Sequence, residues 1–232
     1  MESLDSPFIW ANFILWIGST ALILIIGMIV FRLSQKTEVV QEEAQKKQLV
    51  TWEYFFFILI ISNIFIILWR FAITDYLIND IFERIANGLF YFACFIKVFD
   101  IEKRGLQRKR YFFSYIIGIT IFINLLMAPS ILKTVLPIQI AFICVTTIGY
   151  SVFPIIYFLV SKQATGDVKR NALKVSAGAI FLALGYLFRP ENLVAYRITP
   201  FLNSLIDCLY ITAPISIIIG IILIYHSFRR IT

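Results

Sequence analysis

Seven stretches of mostly apolar residues alternate with short polar connectors along the chain: about Phe8 to Phe31, Trp52 to Ile73, Ile81 to Phe99, Tyr111 to Leu132, Thr134 to Ser161, Ala172 to Phe188 and Phe201 to Phe228. A helix rising about 1.5 Å per residue needs about 20 residues to cross a hydrocarbon core roughly 30 Å thick, and these stretches have that scale. The first and fifth carry no charge, the seventh holds Asp207, and the third opens on Glu83 and Arg84. Runs such as ALILIIGMIV do not alternate as the strands of a membrane β-barrel must. Lipid offers no partners to backbone groups, so each stretch is predicted to be helical. The expected fold class is all-α integral membrane: a seven-transmembrane-helix bundle making a single domain over residues 1–232.

Composition strengthens this reading. The chain is 60% apolar and 15% charged, with a mean hydropathy of +0.86. Soluble domains run at about 45–50% apolar and about 25% charged, so a water-soluble fold, a disordered chain and a disulfide scaffold are all disfavoured. The leader MESLDSP is acidic and the apolar run behind it is long, unlike a cleaved signal peptide. The longest connector, Arg32 to Thr51, is too short for a folded soluble domain.

Charge orients the spans. With seven crossings, Arg70, Arg84, Lys133, Arg189 and Arg197 fall on one side, and all the other Lys and Arg residues, Lys97 among them, on the opposite one. An excess of basic residues marks the cytoplasmic side. The N-terminus is therefore expected outside and the C-terminus in the cytoplasm, with the chain in the cell membrane. Lys103, Arg104, Arg108, Lys109, Arg110, Lys169 and Arg170 form the expected cytoplasmic face. The net charge of +7 then reflects topology and the lipid bilayer as a partner, each juxtamembrane basic residue being worth about 1 kcal/mol near anionic headgroups. No aromatic-interleaved basic face accompanies these residues, so no nucleic-acid partner is expected.

The chemistry-bearing residues exclude more than they suggest. Cys94, Cys144 and Cys208 lie inside predicted spans and read as small apolar residues. The lone histidine, His226, cannot build a three-ligand zinc site or an intramembrane Ser-His pair. No GxGxxG, GxxxxGK[ST] or HExxH string occurs. No catalytic residue, metal or cofactor is predicted, and an enzyme is the least favoured class.

Polar residues within the spans are costly and face inward, and here they fall on helical stripes. The stripes are Glu83, Asn87, Tyr91 and Cys94 in the third span; Gln139, Thr146 and Tyr150 in the fifth; and Asn203, Asp207, Tyr210 and Pro214 in the seventh. Asn63 and Arg70 belong to the second span, Thr120 and Asn124 to the fourth, Tyr186 and Arg189 to the sixth. Most fall in the outer half. One reading makes them hydrogen-bonding glue, each bond worth about 0.6 kcal/mol on average. The other makes Arg70, Glu83, Asn87, Tyr91, Asn124, Gln139, Tyr150, Tyr186, Arg189, Asn203, Asp207 and Tyr210 an outward-facing pocket for a small ligand. Pro154 and Pro214 are hinge candidates, or fixed kinks, because each removes a backbone donor inside a helix.

The first connector, KTEVVQEEAQKKQLVTWEYFF, has neither Gly nor Pro and reads as a helical extension of the second span. The chain also resembles the seven-helix membrane sensor modules of archaea and bacteria that usually precede histidine kinase domains. The resemblance rests on seven spans with the N-terminus outside, FIKVFDIEKRG closing the third helix and GDVKRNALKVSAGAIFLALGY opening the sixth. It implies a sensor or receptor-like protein that passes an external or intramembrane signal to a separate cytoplasmic transducer protein. A small-solute transporter or channel is the alternative, and an accessory membrane subunit the third reading. Oligomeric state is not legible.

Overall fold

A computed structural model describes residues 7–36, 43–72, 76–104, 111–126, 136–189 and 199–228. Among them are seven helices and no strand: α1 (Pro7–Lys36), α2 (Glu43–Ile67), α3 (Tyr76–Arg104), α4 (Phe112–Leu126), α5 (Leu136–Gln163), α6 (Gly166–Leu187) and α7 (Thr199–Phe228). A π-helical turn, Leu68–Ala72, continues α2. Ile9–Gln35, Lys46–Ala72, Ile140–Gln163 and Cys208–Ser227 are long and apolar enough to cross a membrane. Of the other three helices, α4 has 15 described residues, while α3 carries charged residues toward both its ends and α6 in its first turns, from Asp167 to Lys174.

The helices overrun the apolar stretches because helix propensity and hydrophobicity are separate properties. Glu, Lys and Arg end a hydrophobic window but are good helix formers. Thus α3 runs past Phe99 through Asp100, Glu102, Lys103 and Arg104, and α2 takes in the polar segment from Glu43, as the first connector's composition predicted. Pro7 opens α1, a position where its missing N–H costs nothing. Between α5 and α6 the chain turns at Gly166, whose φ of +58° a Cβ would oppose. Thr165 is the N-cap residue of α6, and Asp167 occupies its first turn, where the helix dipole favours negative charge.

By contacts the chain divides into two compact units, one comprising Thr20–Leu126 and the other Met1–Ser19 with Met127–Thr232. In the first, α2 contributes Trp52, Phe55, Phe56 and Leu59, all buried, at the spacing of one helical face. Trp52 makes an edge contact with Phe55 at 5.2 Å and stacks on Phe56 at 5.8 Å. Gly27 of α1 lets that helix approach Phe56, whose Cβ would lie 3.3 Å from an added methyl. Ser62 donates to the Ala86 carbonyl at 2.7 Å, tying α2 to α3.

In the second unit, α6 presents a buried stripe, Ala172, Val175, Ser176, Ala179 and Leu182, with the small Gly178 and Gly185 beside it. A Cβ at Gly178 would fall 2.6 Å from the Gly220 carbonyl of α7, and one at Gly185 would fall 2.7 Å from the Ala213 carbonyl. The α6 and α7 backbones therefore touch, which only small residues allow. Ser176 donates to the Pro154 carbonyl of α5 at 2.9 Å, and Ser216 to the Phe181 carbonyl at 2.9 Å.

Candidate functional site

The densest polar constellation lies in the Thr20–Leu126 unit, where α2 begins and α3 ends. Lys97 is 0% exposed. Its Nζ donates to Thr51 Oγ1 at 2.8 Å and stands 4.3 Å from the centre of the Trp52 ring. Asp100 Oδ2 lies 4.0 Å from the same ammonium. Thr51 Oγ1 is 3.1 Å from Asp100 Oδ2 and 2.9 Å from the Gln48 carbonyl, so the hydroxyl accepts from Lys97 while its single proton chooses between two acceptors. The other carboxylate oxygen, Asp100 Oδ1, pairs with Arg104 Nη2 at 2.6 Å, and the Arg104 side chain is 35% exposed. A continuous polar chain thus leads from a fully buried ammonium through a hydroxyl and a carboxylate to a guanidinium at the surface.

Helical spacing builds this chain. Lys97, Asp100 and Arg104 follow at intervals of three and four, so they share one face of α3, and Thr51 and Trp52 supply the complementary surface of α2. A buried ammonium loses several kcal/mol of hydration, and the hydroxyl, the carboxylate and the negative face of the indole ring together replace it. Neighbouring groups extend the polar layer. Glu102, also buried, accepts from the backbone N–H groups of Phe113 at 2.8 Å and Ser114 at 3.0 Å, and from the Ser114 hydroxyl. A carboxylate borrowed from α3 thereby satisfies the free donors at the start of α4, where the helix dipole favours negative charge. Ser34 of α1 donates to Glu53 Oε2 at 3.1 Å.

Sequence reasoning missed this centre. It counted Lys97, near the end of the third span, only among the basic residues of the cytoplasmic side, whereas the structure buries it completely. The signal was present: the stripe Glu83, Asn87, Tyr91 and Cys94, continued by three more residues, arrives at Lys97.

The pocket candidates separate by unit. In the Thr20–Leu126 unit, Tyr91 and Asn124 are buried and Arg70, Glu83 and Asn87 are half-buried. Arg70 lies over the Phe71 ring at 5.3 Å, and Tyr91 meets Phe90 edge-on at 5.8 Å. Asn124 Oδ1 has no hydrogen-bond partner among the described residues. In the other unit, Tyr150, Tyr186 and Arg189 are buried and Tyr210 is half-buried. Arg189, fully buried, donates from Nε to the Tyr186 carbonyl at 3.1 Å and lies 5.9 Å from that residue's ring, with Trp16 edge-on to Tyr186 at 6.3 Å. A cation there answers the carbonyls left open at the end of α6. Gln139, Asn203 and Asp207 fall outside the residues whose side chains are described, and Arg108, Lys109 and Arg110 outside the described residues altogether. Lys103, Lys169 and Arg170 are exposed.

Both hinge candidates are buried inside their helices. Pro214 removes the N–H that would bond the carbonyl four residues back, which belongs to Tyr210. Asn12 Nδ2 of α1 donates to that carbonyl. At this position the proline is a docking point for a neighbouring helix. Of the three cysteines read as small apolar residues of the spans, Cys94 is buried while Cys144 and Cys208 are exposed. Their exposure follows from helix phase, since each is placed away from its helix's buried stripe. Among the described residues no cluster of His, Cys, Asp and Glu could hold a metal ion. No family model, curated protein or solved structure matches this chain.

Proposed function

We propose that the chain is a seven-span membrane protein of the sensor or receptor type. Its N-terminus lies outside and its C-terminus in the cytoplasm of the cell membrane, and it signals to a separate cytoplasmic transducer. The membrane part is supported by an inversion of ordinary exposure. Ile14, Phe57, Phe112 and Phe122 are exposed while Asn12, Asn63, Lys97 and Arg189 are buried, the pattern expected where the solvent is lipid. The bias of basic residues supports the orientation.

The observation that carries the signalling reading is the chain from buried Lys97 through Thr51 and Asp100 to Arg104. It joins the helix interior to the basic end that the charge bias assigns to the cytoplasm, and its shared proton and mixed charges give it alternative pairings. A ligand shifts such an element only through differential affinity for its states. The half-buried Arg70, Glu83 and Asn87, with Tyr91 and the open acceptor of Asn124, are the ligand candidates in the same unit. The resemblance to sensor modules points the same way. Proteoliposomes incubated with a panel of labelled small amphipathic solutes test this reading. Saturable binding without uptake, weakened in Asn124→Leu, supports a sensor; uptake proportional to protein amount replaces it with a transporter or channel. Neither binding nor uptake across the panel favours the accessory-subunit reading.

A further inference from the structure

We propose that Lys97, Thr51 and Asp100 form a proton relay, in which the buried Lys97 exchanges a proton with water at the Arg104 end of α3 and the Thr51 hydroxyl carries it. The inference concerns the polar chain itself and stands whether or not that chain signals.

The distances give the hydroxyl its place. Lys97 Nζ and Asp100 Oδ2 are 4.0 Å apart, beyond hydrogen-bond reach, so the ammonium has no direct route to the carboxylate. Thr51 Oγ1 closes the gap, 2.8 Å from Nζ and 3.1 Å from Oδ2. A hydroxyl both accepts and donates, so its oxygen takes one proton as it gives up another. One Nζ–H bond breaks as an O–H bond forms on Thr51, whose original proton passes to Asp100 Oδ2. An ammonium and a carboxylate become an amine and a carboxylic acid, Thr51 is regenerated, and no net charge is created in the interior. Asp100, whose other oxygen meets Arg104 Nη2 at 2.6 Å, then releases the proton to water at the exposed guanidinium end. The constellation passes from two cations and one anion to one of each, and reprotonation reverses it.

The Gln48 carbonyl, 2.9 Å from Thr51 Oγ1, is the idle position. A hydroxyl pointed there is held but passes nothing on, so rotation of one O–H bond connects or breaks the path. Nearby ionisable groups serve other partners or solvent. Glu53, beside Trp52 on α2, accepts from Ser34, and Lys47, one turn before Thr51, is exposed. Glu102 serves Phe113 and Ser114, and Tyr111, ahead of α4, stacks on Phe99. On α3 the titratable neighbours are Cys94, one turn back, and Asp100 ahead. The Trp52 ring, 4.3 Å from Nζ, reports the charge, because its attraction is to the cation.

Intrinsic fluorescence of the detergent-purified full chain tests the relay, read as wild type minus Lys97→Met so that the response of the other tryptophans cancels. A Lys97-dependent emission change is expected on titration from about pH 5 to about pH 10. In stopped-flow pH jumps Thr51→Val should slow that change about a hundredfold, the lower end of what a positioned proton carrier contributes, while Thr51→Ser stays within about twofold of wild type. A merely structural Thr51 would move the midpoint and leave the rate. Should Thr51→Val fail to fold, Arg104→Gln at the exposed end keeps the relay testable: it should move the emission change to more alkaline pH, because Asp100 then serves Lys97 alone. No Lys97-dependent change in the folded protein, a Thr51→Val rate within about twofold of wild type, or an unmoved Arg104→Gln midpoint would each overturn the relay. Solute binding by proteoliposomes, which tests the sensor reading, is a separate result.

Discussion

Replacing Asp100 by asparagine removes the counter-charge of a fully buried ammonium while leaving shape and hydrogen-bonding capacity nearly intact. At the observed 4.0 Å separation, an effective dielectric near 20 gives an attraction of about 4 kcal/mol. The Arg104 end of the pair is 35% exposed, so its own loss adds only about 0–1 kcal/mol. Lys97 would keep Thr51 and the Trp52 ring but would no longer be balanced. The expected cost of Asp100→Asn is therefore about 3–5 kcal/mol, the range for a buried pair broken on one side. Removing both charges, as in Lys97→Met with Asp100→Asn, leaves no ion to desolvate and should return stability to within about 1 kcal/mol of the parent. Equilibrium unfolding in mixed micelles, followed by far-ultraviolet circular dichroism, measures all three proteins. A cost below about 1 kcal/mol for Asp100→Asn, or a double variant no more stable than the single one, would refute the claim that Lys97 is held by a desolvated counter-charge.

Three further outcomes follow from individual contacts. Asn12→Leu should cost about 0.6–1.7 kcal/mol in a parent carrying Pro214, and much less beside Pro214→Ala, because alanine restores the N–H that the Tyr210 carbonyl lacks; a double-mutant cycle measures the coupling. Gly178→Val should destabilise by at least about 1–3 kcal/mol in thermal unfolding, since its Cβ falls 2.6 Å from the Gly220 carbonyl, whereas Gly118→Ala should be neutral or better. Glu102→Ala should cost about 1–2 kcal/mol, read as faster amide exchange at Phe113 and Ser114, whose N–H groups lose their acceptor.

Much of the helical layout was legible from local pattern. The apolar stretches located seven helices because lipid-scale hydrophobic runs leave the backbone no other way to satisfy itself. Their stripes also pointed the right way at Tyr91, Cys94, Thr120, Asn124, Thr146 and Tyr150, all buried. Helix ends were less legible, since charged residues interrupt a hydrophobic window without interrupting a helix. The burial of Lys97 was not legible for a related reason: a charge at the rim of an apolar run counts toward the charge bias, and only its neighbours on another helix show that it is enclosed.

Amino-acid order alone determined helix count, inward polar stripes and the asymmetry of positive charge, because periodicity, apolar length and charge are properties of consecutive residues. Tertiary structure decided which groups answer one another. Thr51 and Trp52 receive Lys97 across 46 positions of sequence separation for the hydroxyl, and Asn12 finds the carbonyl released by Pro214 across 198 to its acceptor residue. Glu102 caps a helix it does not belong to, and Gly178 matters only because Gly220 lies against it. Each depends on the distance between side chains on different helices, which packing sets and sequence spacing does not encode.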